Sequence, residues 1–230
     1  MKHRSLKLAL GSIAIPSIAI CGAPSQAHRA LADEPGDAAA DAPPPWPAGA
    51  KSVLHVGDST VGTLQFGLAR EMDKRFKPLN IRYNARVKEA AGLRNFANDR
   101  VTETLVRELN PDVVLFTLGT NNLSVPSPDL YEPFVKSIVS QVGNRPCIWV
   151  GPLTIAKAVA KQTTRDTPKN PHATGLAVVA MLKKNVGPCK FYDSYGLDIQ
   201  REPDDVHPTV PGAGKWAEKI WSFLGPTAPP

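Results

Sequence analysis

The sequence predicts an α/β fold in which a parallel sheet is covered by helices on both faces. Three observations predict it. Short apolar runs of strand length alternate with segments whose apolar residues recur at helical spacing. The links between them are mostly short, and no internal repeat is visible. The strongest runs, Val53–Val56 and Val113–Leu118, are continuously apolar, as strands buried on both faces are.

Taken in order, the first strand is Val53–Val56, within the stretch Ser52-Val53-Leu54-His55-Val56-Gly57-Asp58-Ser59-Thr60. From Val61 to Phe76, Leu64, Phe66, Leu68, Met72 and Phe76 fall at helical spacing, and Lys77-Pro78 ends the helix. Ile81–Val87 is a second strand with polar interruptions, which places it nearer a sheet edge. Phe96 to Leu109 is helical up to Asn110-Pro111, with Val101, Leu105, Val106 and Leu109 on one face. Val113–Leu118 is the most apolar strand and is expected at the centre. A helix over Tyr131–Val142 and a fourth strand at Cys147–Val150 follow. Leu153–Thr174 breaks the rhythm: it is long, polar and basic, and a loop of that length is more often functional than idle. His172, within it, is a further candidate to touch a ligand. The chain then shows a helix over Leu176–Val186, a fifth strand at Lys190–Tyr192 and a last helix over Gly214–Leu224. Trp216, Ile220 and Leu224 recur every fourth residue in that helix and read as core.

The ends read differently from the middle. Lys2, Arg4 and Lys7 precede an apolar run from Leu8 to Ile20, too short to span a bilayer comfortably and right for a signal peptide. Small residues offer cleavage after Ala27 or Ala32, so residues 1–32 are expected to be an export signal, leaving no membrane span in the mature protein. Residues 33–50 are rich in Pro, Ala and Asp and are expected to be a disordered linker. The folded domain is then residues 51–225, followed by a tail at 226–230.

Removing residues 1–27, with Lys2, Arg4 and Lys7, lowers the formal charge from +6 to +3, too mild to argue for nucleic acid. Of three cysteines, Cys147 and Cys189 remain. Each opens a strand; if the two strands are neighbours, the cysteines lie side by side at their amino ends, and an exported protein sits where disulfides persist, so a Cys147–Cys189 bridge is one expectation and two buried thiols the other.

Three segments follow strands at the same edge of the sheet, where α/β proteins bind ligands. They are Gly57-Asp58-Ser59, Gly119-Thr120-Asn121-Asn122 and Asp204-Asp205-Val206-His207-Pro208. A serine hydroxyl attacks well only when a base takes its proton. His207 can be that base, because an imidazole ordinarily titrates between pH 5 and 8. Asp204, or Asp205 in its place, can fix the ring tautomer. The Asn121 amide and the Ser59 backbone N–H can donate to a developing oxyanion. Each residue alone has a plainer reading: Ser59 as a helix cap, Asn121 as a turn residue, His207 and Asp204 as surface groups. Their joint occurrence at strand ends favours catalysis. His55, inside the first strand, reads as a hydrogen-bonded core residue.

On these motifs (Gly-Asp-Ser, Gly-x-Asn and Asp-x-x-His, in that order over Ser52–Leu224) the chain resembles the SGNH hydrolases, the GDSL-type esterase and lipase superfamily. The resemblance implies a flavodoxin-like three-layer sandwich with a five-stranded parallel sheet. It implies Ser59 as nucleophile, His207 as base, Asp204 as its partner, and Asn121 as an oxyanion donor beside the Ser59 N–H. It also implies a glycine N–H from the loop after the second strand, for which Gly92 is the match. Asn122 stands where the family commonly has Asp. No cofactor or metal is needed to account for the Ser, His and Asp. The expectation is an exported serine ester hydrolase acting through an acyl-enzyme, on O-acyl groups of a glycan or on a small ester. An acyltransferase using the same residues, and a non-catalytic glycan-binding or envelope scaffold domain, are the alternatives.

Overall fold

The structure is a computed structural model that describes residues 46–63, 65–155 and 171–226, with side chains from Thr174 onward in the last segment. The expected signal, most of the expected linker, residues 156–170 of the long loop, the His172 side chain and residues 227–230 lie outside the described residues.

Five strands form one parallel sheet: β1 (Ser52–Gly57), β2 (Arg82–Val87), β3 (Val113–Thr117), β4 (Cys147–Val150) and β5 (Lys190–Tyr192). Their order across the sheet is β2-β1-β3-β4-β5. This is the flavodoxin-like order, which reverses direction between β1 and β3 and opens a crevice at their carboxyl ends. The most apolar strand, β3, is central, and the polar-interrupted β2 is an edge, as the hydrophobic patterns indicate.

The helices are α1 (Gly67–Phe76), α2 (Leu93–Asn98), α3 (Val101–Leu109), α4 (Glu132–Ser140), α5 (Pro171–Asn185) and α6 (Val210–Leu224). Alternate strand residues point to opposite faces, so the core divides in two. Leu54, Val56, Val114, Phe116 and Trp149 pack with residues of α2, α4 and α5 on one face. Val53, Val113, Leu115 and Ile148 pack with α1 and α6 on the other. His55 lies fully buried in β1, its Nδ1 2.6 Å from Tyr83 Oη and its Nε2 2.8 Å from Thr117 Oγ1, so both ring nitrogens are satisfied across three strands.

Several element boundaries depart from the periodicity. The helix read over Val61–Phe76 begins only at Gly67, because Gly62 and Gly67 both have positive φ, which breaks the helical path before that point. The helix read over Phe96–Leu109 is two helices, broken at Arg100, which is left-handed at φ 48°. The last helix starts four residues earlier than Gly214: Thr209 caps it, its hydroxyl accepting from Gly212 N–H at 3.2 Å, with Pro211 in the first turn. Trp46, assigned from composition to the linker, is buried. Its ring centroid is 5.0 Å from that of Phe76, and its N–H donates to Leu224 O at 3.2 Å. Burying one large aromatic ring outweighs the extended preference of the prolines around it. Cys147 and Cys189 are joined by a disulfide between the amino ends of β4 and β5, at the sheet edge opposite the motif-bearing loops.

Candidate active site

β1 delivers Ser59 to the crevice. Gly57 ends the strand where the chain folds back on itself: a Cβ there would lie 2.2 Å from Val61 Cγ2 and 3.1 Å from Thr117 O. Only glycine permits the sharp turn that lifts Ser59 above the sheet. Asp58 points down instead and is fully buried. Its Oδ1 accepts from the Thr60 N–H at 3.1 Å and the Thr60 hydroxyl at 2.7 Å. Burial pushes this carboxyl up from its ordinary range, against the pull of Thr60 and of nearby Thr120. No hydrogen bond of normal geometry reaches Oδ2 among the described residues.

His207 and Asp204 come from the long connection between β5 and α6, which runs back across the sheet toward β1. That connection is fastened at several points. Glu202 N–H donates to His207 O at 2.8 Å, and Thr209 N–H to Gln200 O at 3.1 Å. Trp216 Nε1 donates to Ser194 Oγ at 2.9 Å. A Cβ on Gly212 would lie 1.9 Å from Gln200 O, so glycine is what lets α6 approach this loop.

The result is a continuous hydrogen-bonded chain. Ser59 Oγ lies 2.9 Å from His207 Nε2, and His207 Nδ1 lies 2.6 Å from Asp204 Oδ2. The other Asp204 oxygen accepts from the Val206 and His207 N–H groups at 2.9 and 3.0 Å. Partial burial alone would raise the Asp204 carboxyl; the three hydrogen bonds outweigh it and hold it at about 2. Such a carboxylate requires Nδ1 to carry a proton, which leaves Nε2 free to accept one from Ser59. It is Asp204, not Asp205, that faces the ring; Asp205 is left-handed at φ 61° in the turn between them.

The β3 and β2 loops close the other side. Asn121 and Asn122 lie in a short 3₁₀ turn after β3. Asn121 Nδ2 donates to Ala91 O at 3.1 Å, which leaves its second amide hydrogen for another acceptor. Asn122 is buried, and its Oδ1 accepts from the Leu93 N–H at 3.0 Å. This accounts for Asn122: an amide oxygen supplies the acceptor that a carboxylate would, with no buried charge. Gly92 lets Asn122 in, since a Cβ there would be 3.2 Å from Oδ1. The Gly92 N–H itself is occupied by Asn95 Oδ1 at 3.1 Å, so as it stands Gly92 is a packing residue before it is a donor. The Ser59 N–H has no acceptor among the described residues.

Asp58, Thr60, Thr209 and Gly212 were not read from sequence as parts of this site. Thr209 with Pro211 was a legible cap signal. The other three matter through close approaches that no local pattern encodes. Among the described residues, no group of three His, Cys, Asp or Glu side chains is placed to hold a metal ion. No described helix is long and apolar enough to cross a membrane.

No family model matches the chain. Among curated proteins, Protein BcsX of Komagataeibacter xylinus is 27% identical over 124 residues, which are 51% of this chain and 45% of that protein. The chain thus spans about half the length of this curated relative. Similar solved structures include the acetyl xylan esterase AlAXEase, with a TM-score of 0.57 and 18% identity over 74% of this chain and 98% of that one. The lipase/acylhydrolase from Enterococcus faecalis has a TM-score of 0.60 and 13% identity over 76% and 96%. The psychrotrophic esterase EstA from Pseudoalteromonas sp. has a TM-score of 0.55 and 14% identity over 76% and 97%. The chain therefore shares the three-layer α/β fold of these esterases and lipases.

Proposed function

We propose that this protein is a serine ester hydrolase that works through an acyl-enzyme at Ser59. The observation that carries the reading is the Ser59–His207–Asp204 chain, with contacts of 2.9 and 2.6 Å in one line at the crevice of the sheet. His207 Nε2 takes the Ser59 proton as Oγ bonds to the acyl carbon. The carbonyl oxygen becomes an oxyanion that accepts from the Ser59 N–H and the free Asn121 amide hydrogen. The bond to the alcohol oxygen then breaks, and His207 returns the proton to that oxygen. In the second half, His207 takes a proton from water, whose oxygen attacks the acyl carbon; the acid leaves and Ser59 regains its hydrogen. Atoms and protons balance without any further reactant.

The acyl group we propose is small, acetyl above all, and the alcohol part a glycan. The acetyl xylan esterase among the similar structures supports this class of substrate. We further propose that the protein works outside the cytoplasm. The basic and apolar N-terminal pattern supports export, and so does the Cys147–Cys189 bridge, which a reducing compartment would not maintain.

The test is covalent labelling. A fluorophosphonate probe is expected to add to Ser59, located by peptide mass mapping, and to leave Ser59→Ala unlabelled. Ser59→Ala should lose p-nitrophenyl acetate turnover by about 10³-fold or more while keeping its fold by circular dichroism. A well-folded wild-type protein that neither labels nor turns over this ester would overturn the reading.

A further inference from the structure

Asp58 is fully buried next to the nucleophile, yet it takes no part in the proton transfers at Ser59. A carboxyl taken out of water is costly unless hydrogen bonds compensate, so its partners show what it holds.

On one side those partners belong to the turn that carries Ser59. Oδ1 accepts from both the N–H and the hydroxyl of Thr60, at 3.1 and 2.7 Å, and so closes a tight loop around the serine between them. On the other side stands the chain leaving β3. Gly57 is paired with Thr117, and the Asp58 N–H donates to Thr117 O at 3.3 Å, which brings the carboxyl beside the residues just beyond that strand. There the Thr120 hydroxyl and N–H both pull on it. Thr120 is itself buried and opens the 3₁₀ turn Thr120–Asn122 that carries Asn121. Oδ1 is thus committed to the nucleophile turn, while Oδ2 is buried with no bond of normal geometry among the described residues.

The 3₁₀ turn is otherwise held from elsewhere. Asn121 Nδ2 donates to Ala91 O, Asn122 Oδ1 accepts from Leu93 N–H, and the Asn122 and Leu123 N–H groups donate to Gly119 O and Thr120 O. None of these bonds reaches the Ser59 turn. An oxyanion donor must nevertheless stand at a fixed distance from the nucleophile, since a displacement of about 1 Å costs about 10²-fold in rate. A carboxylate suits that task because both its oxygens accept. An Asn side chain could still accept from Thr60 but would turn an N–H₂ toward the donors of Thr120.

We propose that Asp58 is a positioning residue whose carboxyl joins the two turns and sets the distance between Ser59 Oγ and the Asn121 amide. The kinetic consequence rests on the ester-hydrolase reading; the coupling of the two turns does not.

The experiment measures p-nitrophenyl acetate turnover by wild-type protein, Asp58→Asn and Thr120→Val, each with and without Asn121→Ala, together with amide hydrogen exchange read by NMR. Asp58→Asn is expected to lower kcat by about 10–100-fold with KM within about twofold, because the donor it positions acts in the transition state. In the Asn121→Ala background the same change should cost less than about threefold, since that donor is already gone. Thr120→Val keeps the side-chain shape and leaves Thr60 untouched. It should show the same dependence on Asn121, and it decides the kinetics should Asp58→Asn fail to fold. Losses of equal size in both backgrounds overturn the proposal and leave the hydrolase reading standing. If the wild-type protein turns over no ester, the hydrolase reading fails and exchange decides alone. A Thr120 N–H that exchanges about tenfold or more faster in Asp58→Asn, with the Val114 N–H that donates to Pro146 O unchanged, supports the coupling. An unchanged Thr120 N–H overturns it.

Discussion

Asp204 spends both carboxylate oxygens within four residues of chain, one on the imidazole and one on two backbone N–H groups. Held at about 2, it stays ionised across the whole range in which such a protein works. Its expected role is therefore tautomer control, and its amide is the informative replacement. Asp204→Asn keeps the shape but can present an N–H to Nδ1. It should cut kcat by about 10³–10⁴-fold from pH 6 to 8 with an unchanged circular dichroism spectrum. Asn121→Ala removes one of the proposed oxyanion donors. It should lower kcat by about 10²–10³-fold with little change in KM, because the donor acts on charge that develops only in the transition state. That Ser59, His207 and Asp204 would meet was legible in sequence, because the proposed chemistry demands these residue types at strand ends. Asp58 was not singled out. Its importance comes from complete burial beside the Ser59 turn, a property of the assembled fold.

At the scale of elements, strands were read more faithfully than helices. The strand at Cys147–Val150 and the one at Lys190–Tyr192 match the apolar runs residue for residue. Helix starts were misplaced where a turn borrowed apolar residues: Val61 is fully buried, but from the turn before α1 rather than from the helix. Phe66 continues the helical spacing and yet is solvent-exposed, so periodicity alone assigned it to the wrong environment. β5 is a three-residue edge strand, and the disulfide ties its amino end to β4 across a separation of 42 residues. Cross-linking a loop of that length contributes about 2–4 kcal/mol, chiefly by restricting the unfolded chain. Replacing Cys147 and Cys189 together by Ser should lower unfolding stability by that amount in urea titration. Because the bridge lies at the edge of the sheet away from Ser59, kcat/KM of the folded variant should be unchanged. A fall in kcat/KM in step with stability would show that the two ends of the sheet are coupled.

The whole molecule rests on β1, all six residues of which are buried and which pairs with both β2 and β3. The chain places a histidine in the middle of that strand, and this makes stability depend on pH. Burial pushes the His55 imidazole down from 6.5 to about 3, so the folded protein holds it neutral between Tyr83 and Thr117. The unfolded chain takes up a proton as pH falls below about 6.5, while the folded chain does not until about 3. The contribution of His55 is therefore fully present above pH 6.5 and is lost progressively toward pH 3, at up to about 1.4 kcal/mol per pH unit. The buried Asp58 works in the opposite direction, since its raised carboxyl makes the folded state the better proton acceptor. Asp204 contributes stability that is lost only as pH falls from the ordinary carboxylate range toward about 2. A comparison between pH 7 and pH 5 isolates His55 when it is made against His55→Gln, which keeps a polar side chain between Tyr83 and Thr117 but does not titrate. In urea unfolding, the wild-type protein should lose about 2 kcal/mol more than this variant between those two pH values. The carboxylates cancel in the difference, so equal pH slopes for the two proteins would mean that His55 is protonated in the folded state.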